Sequence, residues 1–216
     1  MNVLVVGASR GSGAAAVQEL LKAGHLVTAF ARSASGEPET DAVRRLAGDV
    51  MDADALAKAM VGQDAVVVAL GISDSPVAVR LLRRANTRLD VRSQGTAKVI
   101  DAMRAAGIRR LVVQSTYGIG ETYARLPLSL KAFFSLVIKP QVADHVRQEE
   151  LVRGSGLDWT LVRPVVLHDG AVDAPAKVDL ADQVASMKVS RTQLAKVLAE
   201  AVGRDTWHEQ TLSVSG

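Results

Sequence analysis

The sequence predicts a single α/β domain with a doubly wound parallel sheet, and three observations carry that prediction. Apolar runs rich in valine and leucine recur at 2–7, 25–31, 43–47, 65–70, 109–115, 158–163 and 211–214. Helix-forming stretches near 12–23, 53–61, 77–106, 141–154 and 191–203 separate most of them, the alternation that parallel strands joined by crossover helices require. The first run shows no alternation of polar and apolar residues, as expected of a strand covered on both faces. With 216 residues, 48% of them hydrophobic and only 3% aromatic, the chain suits one aliphatic core spanning 1–216. No repeat, low-complexity tract or linker divides it, and Ser33-Ala34-Ser35-Gly36-Glu37-Pro38 reads as a surface loop.

The first strand, Asn2-Val3-Leu4-Val5-Val6, leads at once into Gly7-Ala8-Ser9-Arg10-Gly11-Ser12-Gly13 and then into the helix formers Ala14 to Leu21. Glycines in such a turn let the backbone approach a diphosphate, whose charge meets the positive end of the helix and its free N–H groups. Gly7, Ser9, Arg10, Gly11, Ser12 and Gly13 are therefore candidate dinucleotide contacts.

The second strand ends in Arg32-Ser33, where an NAD-binding protein usually carries an acidic residue for the ribose hydroxyls. A guanidinium grips phosphate oxygens through two parallel hydrogen bonds, and Ser33 adds a further donor. These residues favour NADPH over NADH, with Arg10 reaching the same 2′-phosphate from the other side.

Open α/β sheets place ligands beyond the carboxyl ends of their strands. At the third strand, Asp49 is a candidate acceptor for the adenine amino group and Val50 packs on the ring; a helix cap for the segment beginning at Asp52 is the alternative for Asp49. Ala69, Leu70 and Gly71 close the fourth strand with little bulk, admitting the ribose on the nicotinamide side. Ser115-Thr116-Tyr117 closes the fifth, and Pro164, Val165 and Val166 close the sixth beside the expected nicotinamide. Ser190 is a candidate N-cap for a last helix whose Leu194, Val197, Leu198, Ala201 and Val202 form one apolar stripe.

Between these signals lie two unusual segments. Arg80, Arg84, Arg88 and Arg92 recur every four residues with Arg83 beside them, a spacing that disfavours an isolated helix and calls for carboxylates, an anionic substrate, a charged partner or solvent. Thr122 to Lys139 carries Phe133 and Phe134 and reads either as an apolar lid or as a helix packed on the domain or on a second copy.

Composition narrows the function classes. The net charge of +3 is small, and the aromatic platform or groove-reading motif of a nucleic-acid binder is missing. Cysteine is absent, which excludes disulfides and thiolate chemistry, and the four histidines lack metal-ligand spacing. Without a signal peptide or an apolar run long enough for a membrane span, a cytoplasmic monomer or homodimer acting on a small molecule is the expectation.

Four runs carry a resemblance: Gly7 to Gly13, Gly48-Asp49-Val50, Ala106 to Thr116 (Ala-Gly-Ile-Arg-Arg-Leu-Val-Val-Gln-Ser-Thr) and Ser155 to Pro164 (Ser-Gly-Leu-Asp-Trp-Thr-Leu-Val-Arg-Pro). On these the chain resembles the atypical short-chain dehydrogenase/reductases of the NAD(P)H-binding, NmrA-like group, over essentially its whole length. Ala143-Asp144-His145-Val146-Arg147 leading into Ser155-Gly156-Leu157 is similar to the biliverdin reductase B and flavin reductase branch. The resemblance implies a Rossmann-like fold and nicotinamide-dependent oxidoreductase activity.

One departure from that pattern bears on chemistry. Ordinary short-chain reductases set a tyrosine and a lysine four residues apart on one helix face as acid and base. Here Tyr117 is followed four residues on by Glu121, Tyr123 by Pro127, and the helix that often carries the pair offers Gln141 and His145. Three readings follow. The first is an NADPH-dependent reductase of a conjugated or aromatic acceptor such as a flavin or linear tetrapyrrole, which takes its proton from water; Ser115 donates to the substrate, and Tyr117 and His145 are candidate proton donors or positioning groups. His145 has an ordinary pKa near 6.5, suited to donating at working pH, with a solvent-exposed helix position as the alternative. The second is a non-catalytic NADPH-binding redox sensor or scaffold. The third is a pathway-specific ketoreductase or isomerase with an atypical acid or base.

Overall fold

Strand β1 (Asn2–Val6) sets the layering: Val3 and Val5 enter one hydrophobic core, Leu4 and Val6 the other, and all four are fully buried. Two buried faces are why the strand reads as a continuous apolar run. The computed structural model describes residues 1–33, 39–71, 88–136, 138–170 and 172–216. Around β1 lie β2 (Leu26–Ala31), β3 (Val43–Ala47), β4 (Ala65–Val68), β5 (Arg110–Gln114), β6 (Asp158–Pro164), β10 (Gln210–Ser215) and β8 (Lys177–Asp179). Their order is β3-β2-β1-β4-β5-β6-β10-β8, parallel throughout except for the antiparallel edge pair β10–β8.

Helices α1 (Gly11–Lys22) and α6 (Arg191–Val202) cover the face of Val3 and Val5 through Val17, Leu20, Leu194 and Leu198. Helices α2 (Ala53–Met60), α3 (Val91–Ala106) and α5 (Lys139–Arg153) cover the other through Leu56, Met60, Ile100, Met103 and Val152. The predicted doubly wound α/β class is thus the observed one. Ser190 caps α6 in a reciprocal box, accepting from Gln193 N at 3.1 Å while Gln193 Oε1 accepts from Ser190 N at 3.0 Å.

The structure corrects some boundaries. The helix predicted over 77–106 begins, among the described residues, at Val91; Arg88 to Asp90 precede it, and 77–87, with Arg80, Arg83 and Arg84, lie outside the described residues. Of the loop read at 33–38, residues 34–38 also lie outside them. Asp90 gives α3 no side-chain cap, and Asp144 of α5 does so from 51 residues away: it accepts from Arg92 N at 3.1 Å, Ser93 N at 3.0 Å and Ser93 Oγ at 2.5 Å. Three short strands escape the sequence pattern: β8 and the parallel pair β7 (Val166–His168) and β9 (Lys188–Ser190). Each has three residues, too few for a period of two to show.

Candidate active site

Strand order reverses between β1 and β4, and beyond their carboxyl ends lies a crevice of about 950 Å³. Its floor is the glycine turn. Gly7 adopts φ +92°, and a Cβ there would lie 2.5 Å from Ala69 O. A Cβ at Gly13 would lie 2.1 Å from Gly7 O, so this glycine permits close packing of α1 beneath the turn. Gly13 is accordingly a support and not part of the crevice lining, unlike Gly7, Ser9, Arg10, Gly11 and Ser12. Arg10 forms no side-chain cap and the first turn of α1 holds no acidic residue, which leaves its positive end open to an anion.

One end of the crevice is lined by Phe30, Arg32, Ser33, Asp49, Val50 and Met51. Asp49 Oδ1 accepts from Met51 N at 2.9 Å, while the cap of α2 is Asp52, whose Oδ1 accepts from Asp54 N and Ala55 N. The capping alternative for Asp49 is corrected by this: a cap must precede the helix directly, and Asp52 holds that place. Five arginines (Arg10, Arg32, Arg88, Arg92 and Arg191) and one acidic residue, Asp49, line the crevice among the described residues, giving it a positive field.

The middle and far end bring Ala69, Leu70, Gly71, Ser115, Tyr117, His145, Pro164, Val165 and Val166 to the same space. Helix α4 (Leu128–Leu136) and its flanks contribute a wall: Leu130 and Phe134, one helical turn apart, line the crevice together with Leu126 before the helix and Ile138 after it, while Leu128 and Leu136 face solvent.

Polar groups at this end fall into two sets. Tyr117 is buried, and its hydroxyl donates to Asp182 O at 3.3 Å; burial first of all raises its pKa. In contrast, Ser115 Oγ, Gln114 Oε1, His145 Nδ1 and Arg92 Nε and Nη1 are buried without hydrogen-bond partners among the described residues. Orphaned polar atoms are costly in a folded protein, and here they cluster on one crevice.

His145 lines the crevice, as a positioning group would, and departs from the exposed alternative. It is no solvent-exposed residue: Asp144, Gln148 and Glu149 beside it are buried. Burial, reinforced by the Arg92 charge, pushes its pKa well below 6.5, so the ring is neutral at working pH and is not the proton-charged acid expected from its ordinary value.

Arg163, at 1% exposure, ties this end together. Its guanidinium donates to both oxygens of Glu149 on α5 and to Glu121 Oε1 at 2.6 Å, next to the crevice residues Pro164 and Val165. Burial alone would lower its pKa, but these hydrogen bonds outweigh burial and hold it above the ordinary arginine value.

The sequence pattern missed several of these residues. The spacing of four singles out Arg92 only as one of a row of arginines, for which an anionic substrate is one option, and it lines the crevice. Arg191 opens the last helix and sits beside the glycine turn, its Nε 3.8 Å from where a Gly11 Cβ would be, paired with Asp169. The signal for it was its position at the first residue of α6, after the Ser190 cap.

A family model described as NAD(P)H-binding matches residues 7–205. The chain belongs to the NAD(P)H-binding family. Among curated relatives of this NAD(P)H-binding protein, the 3-diazoavenalumate denitrifying reductase of a Streptomyces species is 39% identical over 122 residues, 53% of this chain and 38% of that one. The 2-alkyl-3-oxoalkanoate reductase of Stenotrophomonas maltophilia (strain K279a) is 37% identical over 122 residues, 54% of this chain and 33% of that one. The match thus spans about a third of the length of the curated relatives. The solved structure of ChuY, an anaerobillin reductase of Escherichia coli O157:H7, superposes with a TM-score of 0.73 at 22% identity, covering 100% of this chain and 97% of that one; the likeness is one of fold.

Proposed function

We propose that this NAD(P)H-binding protein is an NADPH-dependent reductase that delivers hydride to a conjugated acceptor, a flavin or linear tetrapyrrole being representative, within one domain spanning 1–216. The observation that carries the reading is the crevice itself. It joins a glycine turn cleared for a diphosphate to an apolar far end whose tyrosine hydroxyl is engaged by a carbonyl and whose histidine is neutral. Such a site supplies proximity and orientation more readily than acid catalysis.

The residues present fit the coenzyme, because the cradle at Gly7 and Gly13 has no room for a Cβ and the crevice carries an excess of arginines. Bound NADPH supplies the hydride. The N–H groups at the start of α1 hold the diphosphate, Arg10 and Arg32 with Ser33 hold the 2′-phosphate, Asp49 and Val50 receive the adenine, and Ala69 to Gly71 with Pro164 to Val166 border the nicotinamide half. Ser115 donates to the acceptor, while Tyr117 and His145 position it; Leu130, Phe134 and Ile138 keep water away and offer apolar faces to a flat ring. The protein needs no membrane or nucleic acid for this work.

The test is anaerobic oxidation of NADPH with FMN, biliverdin and menadione. Turnover of at least one supports the reading; tight NADPH binding with no oxidation by any of them favours a sensor or scaffold instead. The relative named as an oxoalkanoate reductase makes a ketoreductase the second reading. Reduction of a 3-oxoalkanoate that disappears in Tyr117→Phe would favour it, because the phenol would then be the acid.

A further inference from the structure

We propose that Arg92 and Ser115 form an electrophilic pair that holds the conjugated oxygen of the acceptor, the atom on which negative charge collects when hydride is taken up. The inference rests on the reductase reading and narrows its substrate class to acceptors whose reducible atom is conjugated to a carbonyl-type oxygen, as in quinones, flavins and enones.

Arg92 stands apart from two of the other crevice arginines in how its donors are used. Arg88 is held by both oxygens of Asp90, and Arg191 is paired with Asp169. For Arg92 the nearest carboxylate is Asp144, but Nη1 lies 3.9 Å from its Oδ2, beyond hydrogen-bond distance. The two oxygens of Asp144 are already occupied by the backbone N–H groups of Arg92 and Ser93 and by Ser93 Oγ. Asp144 therefore offsets the charge without using the donors, and Arg92 Nε and Nη1 stay buried and open. Ser115 Oγ, in a residue only 2% exposed, is open in the same crevice.

The chemistry needs such a pair. Hydride addition forms a C–H (or N–H) bond on the acceptor and breaks the C–H bond of the donor carbon, so that two electrons pass to the acceptor and NADPH becomes NADP⁺. The acceptor π pair moves to the conjugated oxygen, which becomes anionic, and water later supplies its proton. With Tyr117 turned to Asp182 O, the Arg92 guanidinium and the Ser115 hydroxyl are buried donors in the crevice with capacity to meet that charge. Fixed donors in a water-poor site stabilise developing charge without reorganising.

Two measurements test it. The first needs no turnover: the protein saturated with NADP⁺ is titrated with 4-nitrophenol, whose absorption reports its ionisation. The wild type is expected to hold the phenolate, with ionisation favoured about tenfold over the free phenol. Arg92→Gln should abolish the shift and Arg92→Lys, which keeps the charge, should retain part of it. No shift with the wild type overturns the inference.

The second is kcat with whichever acceptor the wild type reduces. Arg92→Gln is expected to lose about a hundredfold in kcat, Ser115→Ala less, with the NADPH Kd within about twofold of wild type for both. Partial rescue of Arg92→Ala by added methylguanidinium separates a contact with the reacting atoms from a structural role. Unchanged kcat in Arg92→Gln and Arg92→Lys overturns the inference while the reductase reading stands. A nitrophenolate shift in a wild type that oxidises no NADPH supports the anion site and removes the reductase reading.

Discussion

Arg163 and Glu149 form a two-pronged ion pair, Nε to Oε1 at 2.8 Å and Nη2 to Oε2 at 2.6 Å, with side chains only 1% and 3% exposed. The pair fastens α5, which carries His145, to the end of β6, where Pro164 and Val165 enter the crevice. Removing one partner leaves the other charge buried. Glu149→Ala is expected to lower the unfolding free energy by about 3 kcal/mol in urea denaturation, since Glu121 still faces Arg163 but reaches only Nη1. The double change Arg163→Met with Glu149→Leu should cost less than Glu149→Ala alone, because it leaves no buried charge unpaired. Equal losses would show that the pair acts through packing.

Gly13 offers a cleaner steric test of the turn. Its missing Cβ would lie 2.1 Å from Gly7 O, and neither the strand end nor the helix start has room to give. Gly13→Ala should shift the turn, lower stability by about 1–3 kcal/mol and abolish measurable NADPH binding by fluorescence titration. Gly203→Ala is the control, because nothing lies within 4 Å of the added atom and its φ of −104° suits any residue. Full NADPH binding by the Gly13 variant would remove the turn from the cofactor site.

Coenzyme preference rests on Arg32. A charge-assisted hydrogen bond contributes about 1.5–3 kcal/mol, so Arg32→Ala is expected to weaken NADPH binding roughly 10- to 100-fold while leaving NADH within about twofold. Calorimetric titration of both coenzymes reads the difference directly. Equal weakening of the two would take the 2′-phosphate away from this residue.

What the sequence made legible was local, and what it hid was long-range. The β1 run with its glycine turn, and the Ser190 cap three residues before Gln193, are contiguous signals, and both appear in the structure as read. Asp144 capping α3, Gln148 meeting Thr96 and Arg163 meeting Glu149 join residues 14 to 52 apart, and no spacing rule connects them. Arg92 shows the cost of reading charge by period. A repeat of four predicts a helical face, but among the described residues Arg88 lies ahead of α3, Arg92 lies in its first turn, and both line the crevice. The exposed alternative for His145 failed for a related reason: its neighbours Asp144 and Glu149 are polar in type but buried through partners on other elements, so polarity did not mean exposure.

His145 also fixes how the protein should respond to pH. Its pKa is held well below 6.5 by burial and by the Arg92 charge, so above about pH 6.5 the ring is neutral in the folded and unfolded states alike. Between that value and the lower folded one, the unfolded chain binds a proton that the folded protein excludes. Stability is therefore fully present above the unfolded pKa and is lost as pH falls below it. Urea denaturation from pH 7.5 down to pH 5 should show a declining unfolding free energy, and His145→Gln should flatten the part of that decline that belongs to this ring. Catalysis follows the same logic. With the His145 ring held neutral, kcat should stay level between about pH 6.5 and pH 8. A kcat that falls tenfold per unit above pH 6.5 would mean that a protonated imidazole donates after all, and the acceptor would then be reduced by acid catalysis rather than by orientation and charge stabilisation.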